Sequence, residues 1–97
     1  MIKDIKAEFA KNSDEYLKFD NITECKPYPV RDMCAFHLLH CLSPSHSDMI
    51  MGAEHDKIYL RVSPQKLAKI ATPAQILYLQ RCGVIYDYSS DCLTMFT

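Results

Sequence analysis

The sequence is poor in the features that announce chemistry. Its 97 residues hold only two glycines, Gly52 and Gly83, standing far apart. That excludes a glycine loop able to cradle a phosphate and argues against flexible linkers. There is no surplus of positive charge: 11 Lys and Arg stand against 12 Asp and Glu, a net charge of −1. From residue 32 onward five basic residues face six acidic ones. Nucleic-acid affinity comes largely from counterions displaced by a basic footprint, and this chain offers none. No apolar run approaches the roughly 18 residues that a bilayer span requires. Met1-Ile2-Lys3-Asp4 lacks the long apolar core of a secretory leader. The five cysteines, at 25, 34, 41, 82 and 92, are odd in number and irregular in spacing, with no Cys-x-x-Cys pair. Reduced thiols in a cytosol are the economical reading.

What is present is ordinary globular composition, 48% hydrophobic and 24% charged, enough for one core and one domain over 1–97. Ile2, Ile5 and Phe9 form a thin stripe on a helix over about 3–11. Lys3, Lys6, Lys11 and Lys18 are offset by Asp4, Glu8, Asp14 and Glu15, the pattern of a solvated face. Residues 1–18 are therefore expected as a peripheral helix and a further short turn begun by Ser13, packed outside the domain or on a partner. Dimerisation through Ile2, Ile5 and Phe9 is one such arrangement.

Pro27 and Pro29 mark an extended connector. Asp32 is placed to cap a helix over about 33–42, with Cys34, Ala35, Leu38, Cys41 and Leu42 on its buried side. Residues 43–56 read as a loop with a helical turn near Asp48 to Glu54. Alternation of Ile58, Leu60 and Val62 predicts a half-buried strand over 57–62. Ser63-Pro64 and Thr72-Pro73 each set a capping hydroxyl before a proline at the first helical position, predicting helices over 63–70 and 72–82. Gly83 is the expected left-handed stop. Strands at 84–87 and 92–97 then form a hairpin across Tyr88-Ser89-Ser90-Asp91. Met95 and Phe96 require this segment to be buried. The whole is an α+β fold with a three-stranded antiparallel sheet.

Four constellations bear on function. Cys34, His37, His40 and Cys41, with His46 and His55 beyond, resemble metal ligands; His37 and Cys41, four apart on a helix, could share an ion, but a tetrahedral site needs two further ligands from distant segments. Buried cysteine and edge histidine is the plainer account, and no cofactor is expected. Glu54-His55-Asp56 has the composition of an acid–base trio, yet neighbours in sequence point apart and no nucleophile motif accompanies them. The order of elements resembles a winged helix, which would read DNA through Gln75, Tyr78 and Arg81. That helix is mostly apolar with one basic residue, and no room is left for the usual turn before it. The hairpin tip sets Tyr86 and Tyr88 beside Asp87 and Asp91, a mixture suited to a protein interface because tyrosine brings area with a polar handle. Glu54 and Asp56 would extend that surface if their loop lies near.

Three segments, Gly52-Ala53-Glu54-His55-Asp56-Lys57-Ile58-Tyr59-Leu60, Arg81-Cys82-Gly83-Val84-Ile85-Tyr86-Asp87 and Asp91-Cys92-Leu93-Thr94-Met95-Phe96, resemble small proteins of tailed bacteriophages. The resemblance covers about half the chain, and that family has no assigned activity, so no site residue carries over. It implies a setting in the bacterial host cytosol and an accessory role. The expected function is non-enzymatic binding of a host or defence protein by surface occlusion, with winged-helix DNA binding as the alternative.

Overall fold

The computed structural model describes residues 2, 4–22, 28–44, 49–54 and 56–96. Among these residues are four α-helices, two short 3-10 turns (Ser13–Glu15 and Phe19–Asn21) and one antiparallel sheet: α1 Ile5–Lys11, α2 Arg31–Leu42, β1 Ile50–Glu54, β2 Lys57–Leu60, α3 Pro64–Ile70, α4 Pro73–Arg81, β3 Val84–Asp87 and β4 Cys92–Phe96. The sheet has four strands in the order β1-β2-β4-β3.

Local chemistry sets the helix ends. The Asp4 carboxylate accepts from the amides of Lys6 and Ala7 and starts α1. Ser63 accepts from the Lys66 amide, with Pro64 at the first turn of α3. At α4 the bonds are reciprocal: the Gln75 amide donates to Thr72 Oγ1 at 3.2 Å, and the Thr72 amide donates to Gln75 Oε1 at 2.8 Å. Gly83 ends that helix at φ 104°, with Arg31 Nη1 only 2.7 Å from where a Cβ would sit. α2 begins at Arg31, before the expected start, and Asp32 is no cap: it lies in the first turn, where its negative charge suits the helix dipole.

The sheet corrects the three-stranded expectation. Residues 50–54 are not a loop or helical turn but β1, paired antiparallel with β2, with a register shift between Ile50 and Gly52. The extra residue at a bulge breaks the alternation that marks a strand. β2 stops at Leu60 rather than at 62.

The core corrects the picture of the N-terminal segment. Ile2, Ile5 and Phe9 are 6%, 7% and 4% exposed, members of the same buried cluster as Leu67, Ile76, Leu79 and Leu93. α1 packs on α3, α4 and β3. It is not peripheral, and its apolar stripe is spent inside the protein rather than on a dimer face. On α2, Cys34 and Ala35 are buried as expected and Leu38 and Leu42 are half-buried, but Cys41 is exposed and Leu39 is buried in addition. Met95 is buried as required, but Phe96 is 43% exposed.

Candidate functional site

Asp87 organises the β3–β4 connection. Its Oδ1 accepts from the amide and hydroxyl of Ser89, at 3.0 and 2.7 Å, and Lys57 Nζ lies 2.6 Å from Oδ2. The Lys57 ammonium, then the Ser89 hydroxyl, hold this carboxyl well below the usual carboxylate range. The turn closes where the Asp91 amide donates to the Asp87 carbonyl, with Asp91 in the left-handed region at φ 54°. Asp91 is exposed, and its carboxylate accepts from Gln65 Nε2 at 3.4 Å. Asp87, expected as a contact residue, is instead a half-buried brace: its side chain is 11% exposed.

The two tyrosines divide the same way. Tyr86 faces the helices and is buried, whereas Tyr88 is 61% exposed. Their ring centroids lie 5.1 Å apart, and the Phe9 ring lies 6.3 Å from that of Tyr86. The Tyr88 hydroxyl donates to the Lys6 carbonyl at 3.3 Å, tying the hairpin to α1. Tyr86 is thus no tip contact; it is the floor on which Tyr88 stands.

Beside this pair lies a pocket of about 260 Å³. Phe9 and Ala10 of α1, Ser13 and Tyr16 beyond it, Gln80 of α4, and Ile85, Tyr86 and Tyr88 of the hairpin line it. Gln80 was absent from the expected site because α4 reads as mostly apolar. It is 3% exposed, and its Nε2 donates to the Phe9 carbonyl at 2.7 Å. Among the described residues neither Gln80 Oε1 nor the Tyr86 hydroxyl has a hydrogen-bond partner. The sequence marks Tyr86 and Tyr88 of this site, but Gln80 bonds to a residue 71 positions away and leaves no local signal.

Glu54 and Asp56 do not join the tip. Glu54 ends β1 opposite Lys57, and Asp56 is exposed in the turn beyond. Lys57 pairs with Phe96 and Asp87 with Cys92, so the two turns leave opposite ends of β4, about 13 Å apart along the strand.

The remaining constellations are assembled only in part. His37 Nε2 and Cys41 Sγ are 3.7 Å apart on the exposed side of α2, and Tyr28 meets the His37 ring edge-on. No group of three metal-ligating side chains occurs among the described residues. His46 and His55 lie outside them. On the candidate recognition helix, Tyr78 is buried, Gln75 is held in its capping box, and Arg81 Nε is 2.9 Å from Glu15 Oε1. Arg81 and then Asn21, by hydrogen bonding, lower the Glu15 pKa. No helix among the described residues is long and apolar enough to cross a membrane. No family model, curated protein or solved structure matches this chain.

Proposed function

We propose that this chain is a non-enzymatic binding protein that occupies a surface of a partner protein, with Tyr88 as its aromatic anchor. The observation that carries the reading is the state of that side chain. Tyr88 is the most exposed large hydrophobic residue among those described, at 61%. It is nevertheless held, by the Tyr86 ring beneath it and by the Lys6 carbonyl. An exposed ring already ordered loses little entropy on docking, and tyrosine is a favoured interface anchor. Asp91 adds exposed acidity at the same turn. The bacteriophage setting, and a host or defence protein as the partner blocked, rest on the resemblance of residues 52–60, 81–87 and 91–96.

The DNA-binding alternative draws less support, because Tyr78 and Arg81 are already engaged within the fold. Capture from bacterial lysate by wild type and by Tyr88→Ala tests the proposal. A partner recovered by the wild type should be lost with the variant, and equal recovery by both would remove Tyr88 from the interface. Retention of the protein on DNA at moderate salt would favour the alternative.

A further inference from the structure

We infer that His37 and Cys41 are half of a zinc site, completed by the same two residues of a second copy of this chain. The inference goes beyond the protein-binding reading, and it rests on α2, which lends no described residue to the pocket beside Tyr88.

Helical spacing brings the pair together. Side chains four residues apart on a helix stand one above the other on a single face. The same spacing lets two histidines of one helix hold a zinc ion. Both His37 and Cys41 are exposed, so an ion meets them without any change in the core. The cysteine expected among core residues is thus open to a ligand.

The separation fits one ion of defined geometry. His37 Nε2 and Cys41 Sγ are 3.7 Å apart. Zinc binds histidine nitrogen at about 2.0–2.1 Å and thiolate sulfur at about 2.3 Å, and a tetrahedral angle between those bonds sets the two ligand atoms about 3.6 Å apart. A square-planar ion with similar bonds asks for about 3.1 Å. The observed distance is the tetrahedral one, and a tetrahedral set of nitrogen and sulfur suits zinc. The His37 ring is already oriented. Tyr28 meets it edge-on with centroids 5.9 Å apart, and the Tyr28 carbonyl accepts from Cys34 Sγ at 3.1 Å.

Ligand count and charge call for the second copy. A structural zinc takes four protein ligands, and among the described residues no third metal-ligating side chain joins this pair. Two copies related by a two-fold axis through the ion supply two nitrogens and two sulfurs, each from the same patch. Both Cys41 thiols release their protons to solvent on binding. The two thiolates cancel the charge of the ion, which leaves no net charge between the helices. Met33, one turn before His37, is 45% exposed and offers the second helix apolar surface beside the metal.

Sedimentation and native mass spectrometry of the intact protein, titrated with zinc, test this. Zinc should convert monomer to dimer with one ion per two chains. Cobalt(II) in its place should give the visible bands of a tetrahedral ion and a thiolate-to-cobalt charge-transfer band. Cys41→Ser should lose both the dimer and the charge-transfer band, and His37→Ala should lose the dimer. Both variants should keep the zinc-free melting temperature, because the two side chains are exposed. One zinc per chain in a monomer, a dimer that forms equally without zinc, a zinc-dependent dimer that survives Cys41→Ser, or no bound zinc would each overturn the proposal.

Discussion

Lys57 on β2 reaches Asp87 on β3 across β4, closing a 2.6 Å contact between residues 30 apart in sequence. Tyr59 and Ile85 both pair with Thr94. Lys57 lies two residues before the first and Asp87 two after the second, on the same face. The ion pair therefore runs diagonally over Thr94, which is fully buried with its hydroxyl unpartnered among the described residues.

This pair gives stability an acid limb. The Asp87 carboxyl titrates below its ordinary value in the folded protein because Lys57 and Ser89 favour the charged form, whereas an unfolded aspartate titrates near about 3.9. A depressed folded pKa contributes stability that is complete above the unfolded value and is lost as pH falls towards the folded one. Urea midpoints should thus fall as pH drops below about 4. Asp87→Asn should lower the midpoint at neutral pH and flatten that slope. An unchanged slope would mean that the ion pair is not formed in solution.

Thr94→Val removes a buried hydroxyl that bonds to nothing among the described residues. Its desolvation is a cost without return, so the variant should be more stable by about 1 kcal/mol. Tyr86→Phe should show no loss of stability for the same reason. Chemical denaturation checks both, and a clear destabilisation of either would reveal a partner for that hydroxyl.

Gly83→Ala should destabilise by about 1–3 kcal/mol. The position has φ 104°, and an added Cβ would lie 2.7 Å from Arg31 Nη1 and 2.9 Å from Leu17 Cδ2. Arg31 cannot yield freely, since its guanidinium donates to the carbonyls of Cys82 and Phe96. The melting temperature measures the loss.

Phe9→Ala decides whether α1 belongs to the core. A buried phenylalanine at 4% exposure should cost about 3–5 kcal/mol on truncation. A peripheral helix would change stability by no more than about 0.5 kcal/mol.

How much of this was legible in the sequence follows from range. Ser63-Pro64, Thr72-Pro73 and Gly83 act within one turn of themselves, so both late helices and their ends could be read directly. The 84–87 and 92–96 hairpin was equally plain, as its turn residues adjoin its strands. β1 was hidden because Gly52 and the register shift before it interrupt the alternation. The site was half legible. Tyr86 and Tyr88 do meet, but burial of Tyr86 depends on α1, and the bracing of Asp87 depends on Lys57, both distant in the chain. Gln80 could not be singled out without Phe9, 71 residues away, to receive its amide.

The account turns on Tyr88 as an ordered, solvent-facing anchor whose loss leaves the fold intact. The direct measurement is calorimetric affinity for the captured partner, with melting temperature taken on the same samples of wild type and Tyr88→Ala. The account predicts nearly equal melting temperatures and affinity weakened by roughly thirtyfold or more, as for an interface hot spot of about 2 kcal/mol. Unchanged affinity at unchanged melting temperature would contradict it.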